Sequence, residues 1–251
     1  MPSPVLLTSR LLADLSHGFT TRHGGASAPP FEALNLGDLV GDDPAAVAEN
    51  WRRLEAATGL GFARVRQVHG ARLVAATGPT PPCLEADAVL STDPEVAASV
   101  AVADCVPILL ATDDGRAVAA VHAGWRGTLA RIAEVGALGL AEASGLLPAR
   151  LRAVIGPSIG PCCYEVSEEL AGAFERALGP VVGRDGPPRL DLWRANELVL
   201  RQAGVGAVEV MGRCTACEVG IFFSHRRDRG RTGRMVGFAA PGSISCRRSQ
   251  P

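Results

Sequence analysis

The 251-residue sequence contains no lysine, and all 25 of its lysine-plus-arginine residues are arginine. Enzymes that use pyridoxal phosphate hold it as a Schiff base on a lysine, and P-loop nucleotide hydrolases need a lysine in the phosphate loop. Neither chemistry is available to this chain. No G-x-G-x-x-G follows a strand-like run either, which argues against dinucleotide binding.

The chain also lacks an excess of charge and a long apolar run. Its 25 basic and 26 acidic residues leave a net charge of −1, so nothing favours a polyanion or an anionic membrane as partner. The opening residues, M-P-S-P-V-L-L-T-S-R, do not show the basic segment and apolar core of a signal peptide. We therefore expect a cytoplasmic protein that binds small molecules, with no nucleic acid, no membrane and no evident protein partner.

Cysteine is present, but not in the pattern of a secreted disulfide framework. The seven cysteines are odd in number, and together with the expected location they predict reduced thiols. Cys214 and Cys217 form C-T-A-C, which could be half of a zinc ribbon or a redox motif. Because a second C-x-x-C is missing, the sequence favours two small residues at the end of a strand.

Helix signals occur at four places. In the first, Asp42 or Asp43 precedes Pro44, apolar residues recur at helical spacing, and Gly59 ends the segment. The same reasoning predicts helices over 43–58, from after Gly127 to Gly145, from Ser167 through Leu178, and from Asp191 to Gly204.

Short Val/Ala/Ile runs lie between these helices and predict strands. Runs that are apolar at both odd and even positions indicate strands covered on both faces. Helices and strands interleave without strict alternation, so we expect a mixed α+β fold: a largely two-layer β-sheet core with helices packed outside, in one domain spanning 1–251. The runs are 17–21, 64–68, 72–76, 86–90, 99–103, 108–112, 117–122, 151–155, 207–211 and 234–239.

Three residues at or near the ends of such runs carry the most chemistry: His69 in Q-V-H-G, Cys105 in A-D-C-V-P and His122 in V-H-A-G-W-R-G. Two imidazoles and one thiolate are a zinc ligand set, and three protein ligands leave the open position that marks a catalytic zinc. Alternatively, Cys105 is a nucleophile and His122 its base. A cysteine hydrolase does not need His69 beside the sulfur, whereas a three-ligand zinc site does.

Other polar residues near these runs have less certain roles. Asp87 and Asp104 could orient ligand histidines or simply cap turns. Arg22 and Arg126 could hold a phosphate or carboxylate, or form surface ion pairs. The segment 156–160 matches the nucleophile-elbow pattern G-x-S-x-G, but its flanking prolines and the missing helix favour a loop over an elbow.

The chain resembles the YfiH family, also called laccase-domain or peptidoglycan editing factor proteins. The resemblance covers nearly the whole chain in order, through T-R-H-G-G (21–25), N-L-G (35–37), G-D-D-P (41–44), Q-V-H-G (67–70), A-D-A (86–88), A-D-C-V-P (103–107), H-A-G-W-R-G (122–127), I-G-P-S-I-G-P-C-C-Y-E-V (155–166), C-T (214–215) and S-H-R-R (224–227).

This resemblance implies a purine nucleoside enzyme with zinc on His69, Cys105 and His122, which would also be its catalytic residues. The implied activities are phosphorolysis of adenosine, inosine, guanosine or methylthioadenosine, with adenosine deamination alongside. The small-molecule partners are then a nucleoside and phosphate. On this view the candidate substrate-binding residues are Arg22, Asn35, Asp87, Asp104, Arg126, Tyr164 and Glu165, with Glu165 or Asp104 as a candidate proton donor to the leaving base.

Two other labels accompany the family, copper-dependent polyphenol oxidase and editing of peptidoglycan precursors. Copper oxidation is disfavoured, because imidazole is the chief copper ligand and a multicopper oxidase needs about ten histidines, whereas this chain has five. Peptidoglycan editing would use Cys105 as the nucleophile of a hydrolase. A third reading is a structural zinc in a binding protein, with a fourth ligand from Cys162 or Cys214.

Overall fold

The computed structural model describes residues 3–242, which form two mixed sheets with five helices around them. One sheet has five strands in the order β1-β2-β13-β6-β3, and the other has six in the order β12-β9-β7-β8-β5-β4. The strands of the first are β1 (Leu6–Leu7), β2 (Ser16–Thr20), β13 (Met235–Ala240), β6 (Val96–Val102) and β3 (Gly61–Ala63). Those of the second are β12 (Ala207–Val210), β9 (Leu151–Ile155), β7 (Val106–Thr112), β8 (Val118–Ala123), β5 (Ala88–Ser91) and β4 (Leu73–Ala75).

The two sheets pack face to face and share a buried layer. Val100 of the five-stranded sheet belongs to the same apolar cluster as Leu109 and Val154 of the six-stranded one. Strands covered on both faces read as continuous apolar runs, which explains why β7 and β8 are buried along their whole length. The predicted two-layer core with outer helices is confirmed.

The helices are α1 (Pro44–Thr58), α2 (Trp125–Leu129), α3 (Ile132–Ser144), α4 (Glu168–Leu178) and α5 (Leu192–Gln202). Helix α1 covers the five-stranded sheet, with Trp51 and Leu54 packed on Phe62 and Phe238. Helices α3, α4 and α5 cover the six-stranded sheet. A small hairpin, β10 (Val182–Gly183) with β11 (Arg189–Leu190), lies between α4 and α5.

Helix ends follow the sequence signals, with one exception. The Asp43 carboxylate accepts the Ala45 N–H at 2.9 Å, and Gly59 ends α1 in the left-handed conformation that glycine adopts at least cost. The helix expected after Gly127 is divided in two. Arg131 has φ +58°, which breaks the helical path between α2 and α3.

The strand predicted over 64–68 is wrong, since this segment forms only an isolated bridge at Arg66. Strand β3 ends at Ala63, and in its place the side chain of Gln67 pairs with strand β6. Its amide nitrogen donates to the Ala101 carbonyl at 2.8 Å, and its amide oxygen accepts the Ala101 N–H at 2.7 Å. The side-chain amide of Gln67 thus takes the place of the backbone hydrogen bonds of a neighbouring strand. Strand propensity alone does not distinguish these two kinds of pairing.

No helix within residues 3–242 is both long and apolar enough to cross a bilayer.

Candidate metal centre and active site

The register of strands β7 and β8 brings Cys105 and His122 together. These strands are antiparallel, with Val106 opposite Ala123 and Pro107 opposite His122. Cys105 directly precedes β7, so it lies beside the end of β8. Apolar residues on both faces of both strands bury this pairing and hold the register.

Strand β5 adds an acceptor for His122. Asp87 directly precedes β5, its carbonyl accepts the His122 N–H at 2.8 Å, and its Oδ1 lies 2.8 Å from His122 Nδ1. Burial opposes the charge of Asp87, yet the hydrogen bonds from His122 and the Gly70 amide keep the pKa of this carboxyl below its usual value. Asp87 therefore fixes the imidazole and leaves Nε2 as its free ring nitrogen.

The same carboxylate positions His69. Backbone N–H groups of Val68, His69 and Gly70 donate to Asp87 at 3.3, 2.9 and 2.7 Å. His69 itself has φ +60°, a conformation rarely adopted by a non-glycine residue. Its ring stands edge-on to His122, with ring centroids 4.8 Å apart.

The three candidate ligand atoms form one compact group. The Sγ of Cys105 and the ligand nitrogens of His69 and His122 all lie within 4.8 Å of one another. The distance from Cys105 Sγ to His69 Nε2 is 3.9 Å. Around a tetrahedral zinc, a sulfur at about 2.3 Å and a nitrogen at about 2.0 Å stand about 3.5 Å apart, so a small contraction suffices.

Two further observations fit a cation at this place. A histidine that ligates a metal usually gives its other ring nitrogen to a carboxylate, which is the arrangement of His122 and Asp87. A Cβ at position 124 would lie 2.9 Å from His69 Cδ2 and 3.0 Å from Cys105 Sγ. Glycine at 124 is therefore needed for the two side chains to approach. The donor set, its spacing and its outer carboxylate fit zinc.

The Cys105 thiol is acidic in this setting. Burial alone would disfavour the thiolate, but the charge and hydrogen bonds of His122 and His69 outweigh it and lower the pKa of Cys105 to about 6. Burial likewise opposes the charge of His122, but Cys105 and Asp87 raise the pKa of this imidazole to about 9. A thiolate is the form that both binds a metal and attacks a substrate.

A cavity of about 520 Å³ opens onto this group. This volume lies within the range of small-molecule pockets. The cavity walls come from both sheets and from the loops beyond them. The lining includes Trp51, Arg64, Gln67, His69, Ala101, Asp104, Cys105, His122, Arg126, Tyr164, His225 and Arg234.

Three of the candidate substrate-binding residues line this cavity: Asp104, Arg126 and Tyr164. The guanidinium of Arg126 lies 4.2 Å from the Trp125 ring centroid and forms no ion pair within residues 3–242. Within residues 3–242, the Tyr164 hydroxyl has no hydrogen-bond partner. Burial and the Cys105 charge raise the pKa of Tyr164 to about 12.

Asp104 is held in place by structural contacts. Its Oδ1 accepts the Thr215 hydroxyl at 2.6 Å, its Oδ2 accepts the Arg226 N–H at 2.6 Å, and its φ is +85°. Asp104 therefore forms the backbone turn that leads into Cys105. It does not touch a histidine ligand as Asp87 does.

The other predicted substrate-binding residues lie elsewhere or act within the fold. Arg22 donates to the carbonyls of Glu32 and Val219 and stacks on Phe223, so its guanidinium is committed outside the cavity. Asn35 is fully buried, and its Oδ1 accepts the amide of Arg234 at 2.8 Å. Asp87 is the buried acceptor described above.

Glu165 is exposed and lines an open depression next to the cavity rather than the cavity itself. The depression and the cavity share Trp125, Tyr164 and Arg226. The Glu165 carbonyl accepts a hydrogen bond from Arg226.

The cavity lining also includes Arg64, Arg234 and His225. Sequence reasoning gives no role to Arg64. His225 and Arg234 belong to the basic stretch 225–234, which could attract an anionic substrate but is more typical of a solvated loop. Arg234 is half-buried, and its partial removal from water lowers the pKa of its guanidinium. A signal for His225 was available in its position within S-H-R-R (224–227), one of the motifs that carry the family resemblance.

The segment 156–160 is a loop, as expected. The Ser158 side chain is fully buried, its hydroxyl accepts the Trp193 indole N–H at 2.6 Å, and the following helix begins only at Glu168. Neither Cys162 nor Cys214 joins His69 and Cys105; both belong to a separate cysteine group. The fourth protein ligand of a structural zinc is thus absent from the triad within residues 3–242.

Similarity to known proteins covers most of the chain. A family model described as multi-copper polyphenol oxidoreductase laccase matches residues 16–241. A purine nucleoside phosphorylase of Deinococcus radiodurans is 44% identical over 239 residues, covering 93% of this chain and 92% of that protein. The Escherichia coli K12 protein named purine nucleoside phosphorylase YfiH is 38% identical over 227 residues, covering 87% and 90%.

The fold is similar to those of solved structures from the same group. The crystal structure of YlmD from Geobacillus stearothermophilus matches with a TM-score of 0.88 at 35% identity, covering 94% of each chain. The Bacillus licheniformis hypothetical protein YfiH matches with a TM-score of 0.87 at 34% identity, covering 96% of this chain and 97% of that one. The chain therefore belongs to the YfiH family of laccase-domain proteins, of which the Deinococcus radiodurans and Escherichia coli members above are named purine nucleoside phosphorylases.

Proposed function

We propose that this protein is a zinc-dependent purine nucleoside phosphorylase that also deaminates adenosine, with His69, Cys105 and His122 as the zinc ligands. The observation that carries the proposal is the His/Cys/His group on the wall of a 520 Å³ cavity, in a chain whose relatives are named purine nucleoside phosphorylases. When bound, zinc supplies Lewis-acid chemistry at an open coordination position.

Phosphorolysis breaks the bond between C1′ of the ribose and a purine nitrogen, and a phosphate oxygen forms the new bond to C1′. The electron pair of the broken bond leaves with the base, which takes up a proton. The chain must therefore hold an anion on one side of the sugar and give a hydrogen bond to the base on the other.

Arg126 is the candidate anion holder. Its guanidinium has no competing carboxylate within the described residues and lies 4.2 Å from the centroid of the Trp125 ring, which also lines the cavity. A guanidinium can bind phosphate through two parallel hydrogen bonds, which fixes orientation as well as position. Arg22, bound to two carbonyls, is not available for this role.

Tyr164 is the candidate donor to the base or sugar. A pKa of about 12 keeps its phenol protonated throughout the physiological range, and its hydroxyl has no partner among the described residues. Asp104 cannot be the proton donor in this arrangement, because both its oxygens already accept short hydrogen bonds from Thr215 and Arg226.

Purified protein incubated with adenosine should release inosine without phosphate, and adenine plus ribose 1-phosphate when phosphate is added. Inosine, guanosine and methylthioadenosine complete the panel, and metal analysis of the same sample distinguishes zinc from copper. Cys105→Ala protein and chelated protein should be inactive, while Cys83→Ser, which alters an exposed cysteine outside the triad, should retain activity. Full activity in both the Cys105→Ala protein and the chelated protein would refute the proposal.

A cysteine hydrolase is the second candidate, because His122 and His69 lower the pKa of Cys105 to about 6. In that mechanism Cys105 attacks an acyl carbon of a cell-wall precursor and His122 gives a proton to the leaving amine. Water then hydrolyses the thioester, which releases the acid and restores Cys105. Rapid inactivation of metal-free protein by a thiol alkylator, with full hydrolysis of a peptidoglycan precursor before alkylation, would favour it. Loss of all activity on zinc removal alone would favour the phosphorylase.

The proposal also covers the cellular location, the domain organisation and the partners of the protein. The free cysteines of residues 3–242 support a reducing cytoplasmic location, and the buried layer shared by the two sheets supports one domain over 1–251. The proposed partners are a nucleoside and phosphate, with no nucleic acid.

A further inference from the structure

A second group of metal-binding side chains lies apart from the triad. Cys162, Cys163, Cys214 and Cys217 place their four sulfurs within 4.8 Å of one another. Cys163 Sγ is 3.4 Å and Cys162 Sγ is 3.5 Å from Cys217 Sγ. The nucleoside chemistry proposed above uses none of these residues.

The spacing of the sulfurs fits one tetrahedral ion. Four sulfurs at about 2.3 Å from a zinc stand about 3.8 Å apart, close to the sulfur–sulfur distances of this group. The distances are well above the roughly 2.05 Å of a disulfide. Four thiolates are a closed ligand set, and soft sulfur ligands select zinc over hard cations.

The two loops that supply the cysteines are preorganised by their own backbones. After strand β9, the Gly160 carbonyl accepts the N–H groups of Cys163 and Tyr164, forming a tight turn that carries two of the thiols. After strand β12, the Cys214 carbonyl accepts the Glu218 N–H, closing the turn around C-T-A-C.

Hydrogen bonds already join these loops to each other. The Ser158 N–H donates to the Arg213 carbonyl, and the Thr215 N–H donates to the Ser158 carbonyl. This pairing extends the parallel pairing of β9 and β12 with a shift of one residue, and it brings residues about fifty positions apart into contact.

Two details at the sulfurs also fit a ligand site. The Gly160 N–H donates to Cys214 Sγ at 3.3 Å, the kind of hydrogen bond that stabilises thiolate ligands. A Cβ at position 160 would lie 3.2 Å from Cys162 Sγ and 2.6 Å from Trp193 Cη2. Glycine there lets the turn approach the cysteine group. Cys162 and Cys217 are exposed, so an ion can enter from solvent.

We propose that Cys162, Cys163, Cys214 and Cys217 form a second, structural zinc site that clips the loop after β9 to the loop after β12. On binding, one zinc ion replaces up to four thiol protons, with no change of oxidation state. The clip braces the cavity wall, because the first loop carries Tyr164 and the second carries Thr215, whose hydroxyl holds Asp104.

The site is tested by counting metal in the full chain purified under reducing conditions. Wild-type protein should contain about two zinc ions per chain, one for each ligand group. The Cys162→Ser/Cys217→Ser variant and the Cys105→Ala variant should each contain about one. Cys83→Ser, which removes an exposed thiol outside both groups, should match wild type.

Cobalt keeps the test decisive if the double variant fails to fold. In a Cys105→Ala background the triad has no thiolate, so Co²⁺-loaded protein should show intense thiolate-to-cobalt charge transfer and tetrahedral d–d bands from the cysteine group alone. Absence of those bands would overturn the proposal. So would equal zinc content in wild type and the double variant, or a Cys162–Cys217 disulfide found by mass spectrometry under reducing conditions.

These readouts are independent of the nucleoside activity. A second zinc in a protein that does not cleave nucleosides would leave this site standing and remove only the proposed function. A single zinc in an active phosphorylase would leave the proposed function standing and remove only the second site.

Discussion

Asp87 Oδ1 lies 2.8 Å from His122 Nδ1, and neither residue has appreciable access to solvent. The same carboxylate accepts three consecutive backbone N–H groups around His69. One side chain thus orients two of the three proposed zinc ligands, one through its ring and the other through its backbone.

Replacing Asp87 by Asn should weaken zinc binding by about 10–100-fold, the usual effect of losing a carboxylate that orients a ligating histidine. The amide keeps the size of the side chain but loses the negative charge and one acceptor oxygen. Competition with a chromophoric chelator measures the affinity. Asp114→Asn, which alters the turn between β7 and β8, is the matched control and should bind zinc as wild type does.

Replacing Gly124 by Ala should reduce phosphorolysis at least about tenfold, since a new Cβ would force His69 and Cys105 apart and small displacements of reacting groups are costly. The melting temperature should change little by comparison, because only the surroundings of the triad must shift. Gly183→Ala, whose Cβ would meet nothing closer than 3.8 Å, serves as control. Unchanged activity in Gly124→Ala would show that the triad does not meet as described.

The Cys105 thiol should ionise well below the range of an ordinary cysteine. Its pKa is lowered to about 6, so in metal-free protein the rate of alkylation should rise through about pH 6 and level off above about pH 7. A normal thiol would keep gaining reactivity up to about pH 9. Peptide mapping by mass spectrometry isolates Cys105 from the other cysteines.

The control for that profile is His122→Ala, which removes the main charge that favours the thiolate. Its inflection should move to higher pH. A wild-type profile that still rises at pH 9 would mean that the imidazoles do not stabilise the thiolate.

Local signals predicted the parts of the structure that depend on neighbouring residues. Asp43, Pro44 and Gly59 define α1 because capping is decided within a few residues. Cys105 and His122 were expected together because both stand at the ends of apolar strands, and the antiparallel register of β7 and β8 joins them.

Contacts between distant segments could not be predicted from local sequence signals. Arg22 and Arg126 look alike in sequence, yet Arg22 donates to a carbonyl 197 residues away, while Arg126 has no such partner within residues 3–242. The sequence favoured two small structural residues for C-T-A-C, because the cysteines that approach it, Cys162 and Cys163, do so only through the parallel pairing of β9 and β12. Long flexible side chains and long-range pairings are set by the whole fold.

Arg126→Gln should raise the KM for phosphate by about tenfold or more, because hydrogen bonds to a charged group contribute about 1.5–3 kcal/mol. The KM for the nucleoside should change much less, since the guanidinium is assigned to the anion alone. Arg116→Gln removes a guanidinium that pairs with Asp114 on an exposed turn and should leave both constants unchanged. Steady-state kinetics with each substrate varied in turn separates the two effects.

Ser158→Ala tests whether the serine of G-P-S-I-G takes part in chemistry. Its hydroxyl accepts the Trp193 indole N–H at 2.6 Å in a fully buried position, so the substitution leaves a donor without a partner and should cost about 1–3 kcal/mol of stability. Phosphorolysis at a temperature well below unfolding should stay within about twofold of wild type, since a residue outside the reacting groups affects stability and not the barrier. Denaturant unfolding and initial rates measure the two quantities on the same preparation. Near-complete loss of activity in a folded Ser158→Ala protein would instead identify the serine as a nucleophile, and the triad would then need another role.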